Sequence, residues 1–235
     1  MGDTNLEIRT LSTADDMTAM IRIFQQVWGT VTPVAEVELL CAISHAGGYV
    51  SGAYDSEKLV GASFGFLARH HGEHALHSHI TGILPGVQHS GVGRIMKNHQ
   101  RAWAVERGLP WITWTFDPLV RRNAWFNIEV LRVNIAEYLV NFYGPMSDSI
   151  NVNDESDRLV AAWNTMDDAP VTPEPGGSQI EVATPDDIVV LRRTDPTAAL
   201  RWRQQVRRDL GDRLAAGASV TGFTRAGAYI LQIPS

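Results

Sequence analysis

The chain has 235 residues, 44% hydrophobic and 20% charged, with a formal net charge of −6. That is enough apolar material for one large domain or a domain plus a sub-domain; it excludes a disordered chain, and 20 Gly and 11 Pro without a period exclude a collagen-like one. A single cysteine, Cys41, excludes a disulfide scaffold and a cysteine-based zinc site, and the mild acidity argues against bulk nucleic-acid binding.

Met1 to Leu6 lacks the basic-then-apolar order of a secretory signal, and no apolar run approaches the roughly 20 residues that span a bilayer. The expectation is a soluble, cytoplasmic protein with neither membrane nor nucleic-acid partners. Leu6 to Leu11 reads as a short strand, after which Thr13 caps a helix to about Trp28 with an apolar stripe through Met17, Met20, Ile21 and Phe24. Pro33 opens a second helix that Gly47-Gly48 stops. Tyr49 to Tyr54 and Leu59 to Ala68 are strand-like about an Asp55–Lys58 turn, His70 to Glu73 is a polar loop, and Ala75 to Leu84 is the next strand.

A helix is predicted from Val92 to Arg107, a strand from Trp111 to Phe116, a short helix from Asn123 to Leu131 and a strand from Glu137 to Tyr143. Asp154 to Asp157 reads as the acidic first turn of a helix running to Trp163. Residues 164–179, rich in Pro and Gly, read as a linker. Asp195-Pro196 starts another helix, and Ala218 to Arg225 with Ala228 to Ile233 forms a terminal hairpin. This order predicts an α/β (α+β) architecture, a mixed central sheet flanked by helices, with a core over 1–145 and an extension over 146–235 whose terminal hairpin completes or extends the sheet.

Chemistry concentrates in the stretch from Ile80 to Arg94. A strand ends at Pro85, and Gln88-His89-Ser90-Gly91-Val92-Gly93-Arg94 opens an amphipathic helix. Glycines at 91 and 93 allow successive backbone N–H groups to converge on an anion at the helix N-terminus, most naturally a pyrophosphate, with Arg94 adding a cation. The Walker and dinucleotide-binding fingerprints both fail, because no Gly-Lys-Ser/Thr and no third glycine follow.

Here the sequence resembles the acyl-CoA-dependent N-acyltransferases of the GNAT superfamily. Gln88, Gly91 and Gly93 meet its Gln/Arg-x-x-Gly-x-Gly/Ala motif, between the strand and the helix where that fold places it. Ser78 to Gly82, Arg122-Asn123-Ala124, Asn141 to Gly144 and Ser156 to Leu159 look like a less characterised branch, some of whose members are linked to N-succinylation of amino acids. The resemblance implies an enzyme moving an acyl group from acetyl-CoA or succinyl-CoA to the amine of a small molecule such as an amino acid. It implies backbone contacts to CoA from Ile83, Leu84 and from Gln88, His89, Ser90, Gly91, Val92, Gly93 and Arg94, with Asn123 a further contact. The backbone N–H near Ile83 or Leu84 is the implied oxyanion donor. A homodimer is compatible with this reading. The family's tyrosine acid is replaced by Val130, leaving Tyr143 or Tyr138 as substitutes.

Amine acylation needs a proton acceptor near neutral pH. His77, His79 and Thr81 fall on one side of their strand by alternation, and His79 is the first choice as base. Trp125 and Phe126 are candidate walls of an acyl pocket, and Arg158 is a candidate partner of a substrate carboxylate. The cluster His70, His71, His74, His77 and His79 lacks the accompanying carboxylates of a metal site, so no metal is expected. Two other readings stay open, a non-catalytic CoA-binding regulatory module and CoA-dependent acyl transfer to a carrier protein.

Overall fold

The computed structural model describes residues 6–87, 91–146, 154–167 and 177–234. Two compact units, Met1–Thr113 and Trp114–Ser235, divide the chain, so the boundary read after residue 145 falls inside the second unit.

The first unit opens with β1 (Leu6–Thr10), α1 (Ala14–Trp28) and α2 (Val37–His45). Thr13 caps α1 in a full capping box: its side chain accepts from the Asp16 N–H, and the Asp16 carboxylate accepts from the Thr13 N–H. Helix α2 starts four residues beyond Pro33, with Glu36 at its cap position. Strands β2 (Tyr49–Asp55), β3 (Lys58–His70) and β4 (Glu73–Ile83) form an antiparallel meander, and α3 (Val92–Glu106) leads to β5 (Trp111–Phe116). Sheet order runs β1-β2-β3-β4-β5. The helical crossover makes β4 and β5 parallel, in a ladder from Ala75–Trp111 to His77–Thr113.

Helices cover both faces of this sheet. Met17, Met20, Ile21, Phe24 and Leu40 of α1 and α2 form one core cluster with Val50, Ala62 and Phe64. Val92 and Met96 of α3 form another with Ala53 and Val60. Gly82 lets α1 approach the sheet, since a Cβ there would stand 2.9 Å from the Trp28 ring. The mixed sheet flanked by helices is the architecture predicted from the order of elements.

The second unit contains α4 (Arg121–Trp125), which runs into a π-helical turn (Phe126–Val130), then β6 (Asn134–Leu139) and β7 (Arg158–Asn164), paired antiparallel. Strand β6 ends four residues before the predicted Tyr143. Asn141 and Gly144 take left-handed φ of 46° and 65°, so Asn141 to Gly144 is a turn. The helix expected over 154–163 is strand β7 instead: Leu159, Ala161, Ala162 and Trp163 are buried along it, and Asp154 and Asp157 engage arginines rather than capping a helix.

Beyond the linker the sequence reading missed β8 (Ser178–Ala183) and α5 (Ile188–Thr194), which Asp187 caps by accepting from the Val189 and Val190 N–H groups. Helix α6 (Pro196–Val206) starts at Asp195-Pro196 as expected and continues through a π-helical turn (Arg207–Asp212) to α7 (Arg213–Ala215). The terminal hairpin, β9 (Ser219–Phe223) and β10 (Ala228–Ile233), was expected to complete or extend the main sheet. It builds a separate three-stranded sheet of order β8-β10-β9, because β10 pairs along its whole length with β8.

Candidate active site

Strand β4 carries His74, His77 and His79. The register between β3 and β4 shifts between Phe64 and Gly65: Phe64 faces Ile80 and Gly65 faces Ser78, which makes His79 the extra residue of a β-bulge. The bulge breaks the alternation expected from the sequence. Rings of His79 and His77 lie 5.8 Å apart on the face of Phe64 and Phe66. Thr81 turns to the opposite face, its hydroxyl 2.8 Å from that of Ser63. His77 and His79 are therefore brought together and Thr81 is not.

Burial lowers the pKa of both imidazoles because the charged form loses hydration. His77, whose Nδ1 is 3.2 Å from the Thr113 hydroxyl, is pushed down to about 4 by burial and by the charges of His79 and Lys97. His79 packs on Phe64 and Phe66 yet remains exposed, so its neutral, proton-accepting form is reachable.

Past β4 the chain turns through Gly86 (φ 95°) and reaches Gly91, the N-cap of α3, whose φ of 81° is left-handed. The Gly91 carbonyl accepts from the Arg94 and Ile95 N–H groups. Val92 is buried as the first anchor of α3, and Arg94 is exposed. Gln88, His89 and Ser90 lie outside the described residues. The Leu84 N–H donates to the Val60 carbonyl at 2.9 Å, so it is not an oxyanion donor; Ile83 ends β4.

Lys97 escaped the sequence reading. It projects from α3 into the interior, 6% exposed, and donates to the Ser78 hydroxyl at 3.0 Å and the Gln100 amide oxygen at 3.1 Å. Burial pulls its pKa down to about 7.

The remaining predicted residues belong to the second unit. Asn123, Trp125 and Phe126 follow one another on α4 and its π-helical turn, all half-buried. Arg158 and Tyr143 come together, the guanidinium 5.4 Å from the ring centre, and the Tyr143 and Thr115 hydroxyls are 3.0 Å apart. Arg158 opens β7 in a buried position and donates to the Asp157 carbonyl at 2.8 Å, with Asp117 at 3.9 Å.

Arg203 and Arg207 are largely withdrawn from water, with side chains 0% and 25% exposed. Arg203 forks onto Asp117 at 2.9 and 3.0 Å and also reaches Asp154 at 2.7 Å, while Arg192 bridges the same two carboxylates. Burial alone raises the Asp117 pKa, but Arg203 and Arg192 overcome it and hold the carboxyl below its usual range. Arg207 pairs with Asp157, which also accepts from the Tyr138 hydroxyl at 2.7 Å. A cavity of about 560 Å³ in this unit, lined by Arg121, Thr184, Asp186, Leu191 and Trp202 among others, includes none of the predicted site residues. Among the described residues no group of three or more His, Cys, Asp or Glu is placed to hold a metal ion, and no helix is long and apolar enough to cross a membrane.

The chain matches no protein-family model and no curated protein by sequence. Solved structures do match it. A Desulfovibrio desulfuricans protein described as an acetyltransferase of the GNAT family superimposes at 16% identity and a TM-score of 0.51, over 68% of this chain and 99% of that one. The ribosomal-protein-S18-alanine N-acetyltransferase from Escherichia coli matches at 18% identity and 0.52, over 72% and 97%. The NatC complex bound to Gag peptide and CoA matches at 8% identity and 0.52, over 68% and 98%. At these identities the likeness speaks for architecture alone. The chain has the GNAT fold.

Proposed function

We propose that the protein is an acyl-CoA-dependent N-acyltransferase, with His79 as the base that takes a proton from an amine. The carrying observation is the bulge at His79. It presents an exposed imidazole, its pKa lowered by partial burial, on the strand that leads into the Gly91 turn and the N-terminus of α3. Two matched structures support the donor and the reaction class: NatC is bound to CoA, and the Escherichia coli protein is an N-acetyltransferase.

In this reading the backbone from Gln88 to Arg94 holds the CoA pyrophosphate against α3, and pantetheine runs beside Ile83 and Leu84. The amine gives a proton to His79, its nitrogen attacks the thioester carbonyl, and the C–S bond breaks. Tyr143 returns a proton to the leaving thiolate; that role, like those of Asn123, Trp125, Phe126 and Arg158 toward CoA, acyl chain and substrate carboxylate, rests on the resemblance. The donor is acetyl-CoA or succinyl-CoA and the acceptor a small-molecule amine such as an amino acid.

Thiol release tests this with acetyl-, malonyl- and succinyl-CoA against a panel of amino acids and amines. Turnover with at least one pair, reduced about a hundredfold in His79→Ala with CoA binding intact, is the expected result. Micromolar CoA binding without release from any pair points to a regulatory module instead.

A further inference from the structure

The α1–α2 core cluster ends at Phe64, and beyond it the same face of the sheet continues as a strip of rings. Phe66 is 38% exposed and lies 5.2 Å from the His77 ring and 5.5 Å from that of His79. Two pairs of residues further along β3, His70 packs on Trp111 at 5.0 Å. Strand residues advance about 3.3 Å each, so the strip from Phe66 to His70 is about 13 Å long. Its far end is closed by a carboxylate, since Glu73 pairs with His70 and accepts from the Trp111 indole N–H at 3.1 Å, while Phe64, Phe66, His77 and His79 place no carboxylate, lysine or arginine at the near end.

We propose that this strip seats an apolar or aromatic group of the acceptor, so that the preferred acceptors are amines bearing such a group close to the nitrogen. The inference rests on His79 as the base. An acceptor whose nitrogen meets His79 places its neighbouring carbons against Phe66 and Phe64, where aromatic rings bury apolar area and stack edge to face. A carboxylate laid on the Phe64–Phe66 end would lose hydration and find no lysine or arginine among these side chains, so an amino-acid acceptor would lay its side chain there and not its carboxylate. The half-exposed Phe66 ring is the specificity-determining group, because Phe64 is already buried under α1.

The test compares 2-phenylethylamine and L-phenylalaninamide with ethanolamine and glycinamide as acceptors for the wild type, Phe66→Ala, Phe66→Leu and His79→Ala. The wild type should favour the aromatic amines. Phe66→Ala should lower kcat/KM for them about tenfold more than for ethanolamine, chiefly through KM, and Phe66→Leu should restore most of the difference. An aromatic-to-small ratio equal in wild type and Phe66→Ala overturns the proposal. His79→Ala acts separately: it should lower kcat for every amine, and a full rate in that variant rejects the base and leaves the seat to the Phe66 ratios. Should no donor release thiol, calorimetry of 2-phenylethylamine decides, since tighter binding to wild type than to Phe66→Ala supports the seat and equal binding overturns it. Thermal melts of each variant separate loss of the seat from loss of the fold.

Discussion

The Lys97 side-chain nitrogen lies 3.0 Å from the Ser78 hydroxyl, joining α3 to β4 through a buried amine. Burial lowers its pKa from 10.5 to about 7, so between those values the unfolded chain binds a proton that the native protein does not. Stability therefore rises as pH increases through that window, by at most about 1.4 kcal/mol per pH unit for one proton. Lys97→Met should flatten this rise between pH 7 and pH 10. Urea unfolding at several pH values checks it, and an unchanged slope would show that Lys97 is charged in the native state.

Activity should carry the mark of His79. Its pKa is lowered by burial, so the neutral base persists below the ordinary histidine value of 6.5. The acid limb of kcat/KM should fall only below pH 6.5, and His79→Gln should abolish that limb along with most of the rate. An acid limb centred above pH 6.5 would point to a different base.

In the second unit the largest single loss is expected at Asp117. Removing its charge takes from Arg192 and Arg203, 1% and 0% exposed, one of the two carboxylates that they share. Asp117→Asn should cost about 3–5 kcal/mol, measured by denaturant unfolding. The linkage has the carboxylate sign: native pairing depresses the Asp117 pKa, so its contribution is present above the ordinary 3.8 and fades as pH drops below it. A cost under 1 kcal/mol would mean that the cluster contributes little to stability.

Gly91 separates conformation from bulk. A Cβ placed there meets nothing within 4 Å, so the penalty of Gly91→Ala is the strain of φ 81°, about 1–3 kcal/mol. Relief of that strain would move the turn, and CoA affinity measured by calorimetry should fall at least about tenfold, or 1.4 kcal/mol. Affinity equal to the wild type would remove the turn from the CoA site.

Local signals were legible wherever one short stretch decides the conformation. Thr13 with Asp16, and Asp195 before Pro196, announce their helices because a cap needs only neighbours. The β4 bulge was not legible, since alternation counts residues on one strand while a bulge is one extra residue relative to the partner strand. That is why Thr81 was grouped with His79. The burial of Arg203 was not legible either, because its partners Asp117 and Asp154 are 86 and 49 residues away in sequence.

By itself the sequence determined the order of elements through β5, the strand–glycine–helix context of the Gly91 turn and the resemblance to the GNAT fold, all of which are written in contacts between near neighbours. Tertiary structure decided the rest. Pairing made 158–164 a strand, the bulge set which histidines share a face, and burial set the proton affinity of Lys97 and the charge pairing of Asp117. Each of these depends on which distant side chains displace water from the same place.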